Sequence, residues 1–238
     1  MDQSDSRIRF EWGPVGAATI APGAQVVAVV DVLSFTTTLT VAVERGISVL
    51  PFRWGAAEAR EAARRHAATL AVGRSQVAGP GQVSLSPGTI LRSTGIERLV
   101  LPSPNGSTIA ALMAGLGVPV IGVSLRNAAA AAAWVGDRSV AVVAAGERWP
   151  DGTLRPAVED YWGAGAFVAA LGARECSVEA RSALVAYESV EDFDLGLREC
   201  GSGRELIGQG FADDVAVAAA AGSSSAVPVL VDGWFRAG

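Results

Sequence analysis

The sequence predicts an α/β fold in which helices cover both faces of a central sheet that is largely parallel or mixed. Short Val-rich runs without polar alternation are typical of strands buried on both faces, and helical patterns separate these runs. Apolar residues make up 50% of the 238 residues and charged residues 18%, a composition that can bury a large core. We therefore expect one three-layer α/β/α domain over residues 1–238, in which residues 172–222 could pack as a helical lobe.

Predicted strands and helices follow one another in turn. "AQVVAVVDVL" (24–33) indicates a buried strand, and "SFTTTLTVAVERG" indicates a helix that ends at Gly46. "ISVLPF" predicts a second strand, and residues 55–69 a charged amphipathic helix. Further strands are predicted at "RLVLP", "VPVIGV" and "SVAVVAAG", and helices at "NGSTIAALMAGLG", "LRNAAAAAAWVG" and "VEDYWGAGAFVAALGA". Helices at about 178–190, 193–200 and 203–220 then precede a last strand at "VPVLVDGWF".

Residues 73–95 interrupt this alternation. They are rich in Gly, Ser and Pro and have no helical period, so a long loop or a small excursion from the sheet is expected. Loops of this length inside a compact domain are usually functional.

Charge and cysteine content exclude several classes of protein. With 19 basic and 24 acidic residues the net charge is -5, and no long Lys/Arg cluster is present, so we expect no nucleic-acid partner. No apolar run reaches the roughly 18 residues of a membrane span and the start lacks a signal-peptide pattern, so a cytoplasmic protein is expected. Cys176, Cys200 and the single histidine, His66, indicate neither a zinc site nor a disulfide framework.

Polar residues follow three of the predicted strands, where ligands collect in open parallel sheets. In "DVLSFTTT", Asp31 ends a strand, and Ser34, Thr36 and Thr37 begin the next helix. These residues either cap the helix or form a metal-binding or nucleophilic carboxylate beside an anion-binding turn.

The second segment is "PSPNGST". Asn105 and Gly106 suit a tight turn, and Ser107 and Thr108 can present hydroxyl and N–H groups to an anion. A simple Asn-Gly turn is the alternative.

The third segment, "AGERWPDGTLRPAVEDYWGAGAF" (145–167), carries the carboxylates Glu147, Asp151, Glu159 and Asp160. Asp151 suits a turn, and Glu159 or Asp160 could simply interact with the helix dipole. Together with the other oxygen donors, and without Cys or His ligands nearby, they favour a hard cation such as Mg²⁺. Such a site acting on an anion indicates phosphoryl transfer or hydrolysis.

Two other phosphatase chemistries fail, the first on spacing and the second on one residue. A cysteine phosphatase needs Arg six positions after its nucleophile, whereas "CSVEAR" and "CGSGR" place it closer. A haloacid dehalogenase-type phosphatase needs a second Asp where "DVLSF" has Leu33.

In this order, the three segments resemble the Mg²⁺-dependent 2-phosphosulfolactate phosphatase family, which releases phosphate from 2-phospho-3-sulfolactate. The resemblance runs through "VVDVLSFTTTLTVAVERG", "SPNGSTIA", "AAGERWPDGTLRPAVEDYWGAGAFV" and the tail that begins "GSGRELIGQGFADDVAVAAA". It implies a three-layer α/β/α fold, a homodimer, and a strand-end site for Mg²⁺ and a small anionic substrate. By position it implies functional roles for Asp31, Thr36, Thr37, Asn105, Gly106 and Asp160.

Three positions depart from the family's pattern. Ser34 stands where the family usually has Arg, and Gly73, Arg74 and Ser75 stand where it has Gly-Glu-Arg. The Ser-Pro pair at Ser86 also lacks the usual preceding Asn. Arg74 could supply the missing positive charge, with Arg126 and Arg155 as other candidates.

The leading hypothesis is a Mg²⁺-dependent phosphatase for a small acidic phosphate ester. Asp31, Glu147 and Asp160 are the predicted metal ligands, and Asp31, Asp160 and Glu159 the predicted catalytic residues. Predicted contacts to the substrate come from Ser34, Thr36, Thr37, Arg74, Asn105, Gly106, Ser107 and Thr108. A binder of small phosphates or sulfonates without catalysis, or a lyase on a related phosphorylated acid, are the alternatives.

Overall fold

The computed structural model describes residues 2–53, 56–77, 79 and 81–238, and these residues confirm the α/β class. Within them, a sheet of nine strands runs in the order β1-β7-β2-β6-β10-β11-β3-β5-β4. The strands are Ile8–Trp12 (β1), Val26–Val30 (β2), Ser48–Arg53 (β3), Thr69–Leu70 (β4), Arg98–Ser103 (β5), Val120–Val123 (β6), Val140–Ala144 (β7), Pro228–Val231 (β10) and Trp234–Ala237 (β11). Glu147–Arg148 (β8) and Leu154–Arg155 (β9) form a separate antiparallel hairpin.

Helices connect most of the strands. They are Gly13–Ile20 (α1), Phe35–Glu44 (α2), Ala56–Arg65 (α3), Pro87–Arg92 (α4), Gly106–Met113 (α5), Ala128–Val135 (α6), Val158–Ala170 (α7), Val178–Glu188 (α8), Phe193–Glu199 (α9), Gly201–Gly208 (α10) and Ala212–Ala219 (α11). None of the described helices is both long and apolar enough to span a membrane.

The sheet consists of two parallel halves that run in opposite directions. β1, β7, β2 and β6 are parallel to one another, as are β3, β5 and β4. Between the halves lies the antiparallel hairpin β10–β11, which pairs with β6 on one side and with β3 on the other. The sheet is therefore mixed, although most of its ladders are parallel.

Alternating side chains divide the core into layers. Along β2, Val27 and Val29 face one apolar cluster, whereas Val26, Ala28 and Val30 face another. The cluster that contains Val27 and Val29 also contains Leu99 and Leu101 of β5 and the inner faces of α2 and α5. Strands lie roughly 4.8 Å apart in a sheet, and several strands separate β2 from β5. Both strands can pack against α2 and α5 only because the sheet curves around these two helices. The accumulated twist of the strands contributes to this curvature.

Several elements differ from the sequence prediction. β1 and α1 were not expected, and the predicted loop 73–95 contains α4, which begins with Ser86 as its N-cap and Pro87 at its first position. Ala78 and Pro80 of that segment, and Gly55 of the predicted helix 55–69, lie outside the described residues. The predicted final strand is a hairpin whose turn, Asp232-Gly233, has positive φ at both residues.

The predicted helix 203–220 divides into α10 and α11. The break follows Gly208, and Gly210 has a φ of 89°, a backbone conformation that ends a helix. Helices α8 to α11 contribute buried residues to the same apolar cluster as one face of β2.

Candidate active site

Asp31 lies at the carboxyl end of β2 with both carboxylate oxygens bonded to backbone N–H groups. Phe35 N donates to Oδ1 over 3.0 Å, and Gly106 N donates to Oδ2 over 2.8 Å. The first donor begins α2 and the second begins α5, so two helix N-termini point at one buried carboxylate. The first and second polar segments therefore meet at Asp31.

The threonines of the first segment bond to the backbone. Thr36 Oγ1 donates to the carbonyl of Asp31 over 2.8 Å and accepts from its N–H over 3.0 Å. Thr37 Oγ1 donates to the carbonyl of Val32 over 2.7 Å. Both threonines are fully buried, and their hydroxyls hold the turn that carries Asp31.

The second segment contributes an amide to the site. Asn105 Nδ2 donates to Glu147 Oε2 over 2.9 Å. Ser107 Oγ donates to the carbonyl of Leu101, and Thr108 Oγ1 donates to that of Ser103. The structure thus joins Asn105 to the third segment, while these two hydroxyls secure the start of α5.

The four carboxylates of the third segment occupy different places. Glu147 lies in β8, half-buried, beside Asn105. Asp160, in the first turn of α7, accepts from Val32 N over 2.7 Å and from Gly146 N over 2.9 Å, and so links the loops that follow β2 and β7. Glu159 is buried near the Cys200 thiol. Asp151 is exposed and accepts from Thr153 within the hairpin turn.

Arg74 reaches the site from the segment after β4. Its Nη2 donates to Ser34 Oγ over 2.8 Å and to the carbonyl of Leu85 over 2.6 Å. The contact with Ser34 joins two of the three segments that the resemblance marked as departures from the family's pattern. The other candidate arginines have different partners, since Arg126 pairs with Glu44 at 3.4 Å and Arg155 donates to Ser202.

A pocket of about 230 Å³ lies where these groups converge. Its walls combine carboxylates with one guanidinium and several apolar side chains. The lining residues are Asp31, Leu33, Ser34, Val72, Gly73, Arg74, Leu85, Ser103, Pro104, Asn105 and Glu147. Asp160, Glu159, Thr36, Thr37, Gly106, Ser107 and Thr108 are outside this lining set.

Comparison with protein-family models matches residues 18–233 to 2-phosphosulpholactate phosphatase. The match covers nearly the whole chain, including every residue that lines the pocket. The chain belongs to the 2-phosphosulpholactate phosphatase family. It is therefore a phosphoric monoester hydrolase by family, with a small anionic substrate.

Electrostatics in this phosphatase are dominated by crowded, buried carboxylates. Burial raises the pKa of Asp31 to about 6, with a further contribution from the charge of Glu159, against the opposing effect of its two backbone donors. Burial also raises the pKa of Glu147 to about 7, and the charges of Asp31 and Glu159 add to this rise. The pKa of Asp160 lies well above its ordinary value for the same reasons, burial first and Asp31 second.

The donor set of this phosphatase suits a cation held by few protein ligands. Among the described residues, no three His, Cys, Asp or Glu side chains are grouped closely enough to enclose a metal. Asp31 and Glu147 nevertheless line one pocket, and the charge of Asp31 contributes to the raised pKa of Glu147. Mg²⁺ is commonly bound by one or two carboxylates, water and substrate phosphate, so these oxygen donors fit it.

Sequence reasoning missed two residues in or beside the pocket. Ser103, at the end of β5, lines the pocket, and its buried hydroxyl has no hydrogen-bond partner among the described residues. Asp214, in α11, is 2% exposed and lies 3.6 Å from Arg74. Asp214 belongs to an Asp-Asp pair that the sequence pattern placed inside a single helix over 203–220, where such a pair is typical of a solvated face.

Proposed function

We propose that the protein hydrolyses 2-phospho-3-sulfolactate to 3-sulfolactate and phosphate in a Mg²⁺-dependent reaction. The observation that carries this proposal is the pocket that joins Asp31, Glu147 and Asn105 with Arg74 and Ser34. Membership of the family supports the reaction class, and the lining residues support the cation and the anion contacts.

Charge balance in the pocket supports the need for a cation. Two carboxylates, Asp31 and Glu147, face a single guanidinium among the lining residues. An anionic phosphate ester would be repelled by this arrangement, and burying unpaired charge is costly. A divalent cation held by the carboxylates would reverse the sign of the local charge.

Asp31 and Glu147 would hold Mg²⁺. When bound, Mg²⁺ would neutralise charge on the phosphoryl oxygens and favour ionisation of a coordinated water. The chain itself orients both ligands, because the N–H groups of Phe35 and Gly106 fix the carboxylate of Asp31 and Asn105 fixes that of Glu147.

Asp160 has a supporting role in this proposal. Its two oxygens accept from Val32 N and Gly146 N. Asp160 therefore fixes the loop next to Asp31 and the loop next to Glu147. Glu159 lies beside it on α7 and adds negative charge near the predicted cation.

Arg74 and Ser34 would bind one anionic end of the substrate. Arg74 supplies charge-assisted donors, and Ser34 supplies a hydroxyl in place of the bulkier Arg that is usual for the family. Ser103 adds a buried hydroxyl that a phosphate or sulfonate oxygen could satisfy.

The test is phosphate release by the purified protein from 2-phospho-3-sulfolactate, with Mg²⁺ and after removal of divalent metals. We expect release only with the metal, and a fall of about a hundredfold or more in kcat/KM for Asp31→Asn, because a removed metal ligand leaves the developing charge uncompensated. Asp151→Asn is the matched control, since Asp151 is an exposed turn residue.

Two further comparisons define the substrate and the reaction. Phospholactate, which lacks the sulfonate, should show a lower kcat/KM, and mass analysis should identify sulfolactate rather than an elimination product. Absence of phosphate release from the wild type, or equal rates for Asp31→Asn and wild type, would contradict the proposal. Ligand-dependent thermal stabilisation without turnover would instead indicate a binding protein.

A further inference from the structure

Arg74 has negatively charged side chains on two sides, Asp31 and Glu147 in the pocket and Asp214 behind it. Its Nη2 hydrogen bonds go to uncharged acceptors, Ser34 Oγ and the carbonyl of Leu85, and its buried Nε has no hydrogen-bond partner among the described residues. The charges of Asp31 and Glu147 act on the guanidinium from within the pocket. An Arg74 that turned toward these carboxylates would neutralise the predicted cation ligands and could not bind the substrate.

Asp214 supplies a competing charge from outside the pocket. It belongs to the first turn of α11, and its Oδ2 lies 3.6 Å from Arg74 Nη2, buried and without a hydrogen bond. Of the charges that act on Arg74, that of Asp214 has the largest effect on its pKa, opposing the lowering caused by burial. The Phe211 ring, also at the start of α11, lies 5.3 Å from the guanidinium carbon.

The other oxygen of Asp214 holds the segment that carries Leu85. Oδ1 accepts from Ser86 Oγ over 2.6 Å and from Gly88 N over 3.1 Å. The buried carboxylate of Asp214 therefore faces the Arg74 guanidinium with one oxygen and binds the start of α4 with the other. The start of α4 directly follows Leu85, whose carbonyl accepts from Arg74. Asp214 itself is absent from the pocket lining, so any effect on the substrate must pass through Arg74.

We propose that Asp214 is a positioning residue, which holds the Arg74 guanidinium away from Asp31 and Glu147 and ready to bind an anionic group of the substrate. This inference rests on the proposed function in that it takes Arg74 as the anion-binding side chain. It extends the site to α11, a helix that contributes no pocket-lining residue among those described.

Asp214→Asn changes the contact with Arg74 but keeps the hydrogen bonds that hold the start of α4. The amide oxygen can keep both donors of Oδ1, Ser86 Oγ and Gly88 N, while an NH₂ group replaces the oxygen that faces Arg74. Asp213→Asn is the matched control, because Asp213 is exposed in the same first turn of α11 and carries the same charge toward the helix dipole.

The primary measurement is the affinity for inorganic phosphate and sulfate by calorimetry in the presence of Mg²⁺, which needs no turnover. We expect Kd to rise about tenfold in Asp214→Asn, within the range of couplings in charged networks, and to be unchanged in Asp213→Asn. In an Arg74→Ala background the same Asp214→Asn change should have no further effect. With 2-phospho-3-sulfolactate and Mg²⁺, the loss should fall mainly on KM, since an interaction made before the reaction step is removed.

Equal effects of Asp214→Asn with and without Arg74, or unchanged anion affinity, would overturn the inference and leave Asp214 an anchor of α4. If Asp214→Asn does not fold, Phe211→Ala takes its place, and unchanged anion affinity in that variant likewise counts against the role of α11. A wild type that binds neither anion would also overturn it. Normal anion binding without phosphate release would overturn the proposed function alone.

Discussion

Single residues in this site differ in whether the protein already satisfies their polar groups. The hydroxyls of Thr36, Thr37 and Ser107 all donate to backbone carbonyls. The Ser103 hydroxyl is equally buried but has no partner among the described residues. An unpaired buried hydroxyl costs folding free energy, and its place in the pocket lining means that a substrate oxygen could recover that cost.

Ser103→Ala tests this role. Loss of a hydrogen bond to an anionic substrate should lower kcat/KM about tenfold, while removal of an unpaired hydroxyl should leave the thermal midpoint unchanged or raise it slightly. Steady-state kinetics and thermal unfolding measure the two effects. The matched control is Ser84→Ala, because Ser84 also has a buried, unpartnered hydroxyl but does not line the pocket. Equal kinetic losses in both variants would argue against a substrate contact.

Residue types at strand ends were sufficient to predict part of the candidate site. Asp31, Asn105 and Glu147 follow strands whose apolar runs are easily recognised, and the structure brings these three together. Whether a threonine faces a ligand or the backbone depends on side-chain rotation, which leaves no trace in a sequence pattern. Asp214 was missed because its partner, Arg74, lies 140 positions earlier, as the difference between their numbers gives.

At the level of elements, the site depends on how closely α5 approaches β2. Gly106 begins α5, and a Cβ at this position would lie 2.6 Å from Asp31 Oδ2 and in contact with the Phe35 ring. Only a glycine allows the N–H of α5 to reach the carboxylate. The Asn-Gly pair therefore allows a helix to be packed tightly, in addition to making a turn.

Gly106→Ala should disturb both folding and activity. Overpacking of this kind typically costs about 1–3 kcal/mol, and the displaced Asp31 should lower kcat/KM further. Thermal unfolding and phosphate release measure these losses. Gly115→Ala, in the turn after α5 where an added Cβ meets no atom within 4 Å, serves as the control and should behave like the wild type. An active, stable Gly106→Ala would show that the close approach is not required.

Element identity was more predictable than element arrangement. Continuous Val-rich runs identified β2, β6 and β7, because strands buried on both faces have no polar alternation. The order of strands was not predictable, since an apolar run carries no information about which neighbours it pairs with. The reversal between the two halves depends on β10 and β11, and their Asp232-Gly233 turn lies within a run that resembles a single strand.

For the whole molecule, ionisation of the buried carboxylates in the pocket lowers the stability of the fold. The raised pKa of Glu147 means that the folded state binds a proton more tightly than the unfolded chain. This contribution to stability is full below the ordinary value of 4.5 and is lost as pH rises through about 7. The metal-free protein should therefore lose stability over this interval, and Mg²⁺ should restore it by relieving repulsion among the carboxylates.

Glu147→Gln should remove much of this pH dependence. In metal-free protein at pH 8 we expect a thermal midpoint about 2–4 °C above that of the wild type, from on the order of 1 kcal/mol after allowance for partial exposure. At pH 4.5 the two proteins should agree. Added Mg²⁺ should raise the midpoint of the wild type at pH 8 but not that of Glu147→Gln.

The exposed Glu188, at the end of α8, provides the control substitution Glu188→Gln. Scanning calorimetry across the pH range measures these thermal midpoints. A wild type whose midpoint stays constant between pH 4.5 and 8 without metal would contradict the assignment of charge repulsion to this pocket.

The hairpin β10–β11 also bears on how the chain is made. It is the strip of sheet that joins β6 to β3, yet it comes from residues 228–237, after every other strand has been synthesised. During translation, the β6 edge of one half and the β3 edge of the other therefore lack a pairing partner until this segment emerges. Unpaired strand edges invite association with other chains, so the interval before residue 237 emerges is when the nascent protein is most exposed to aggregation.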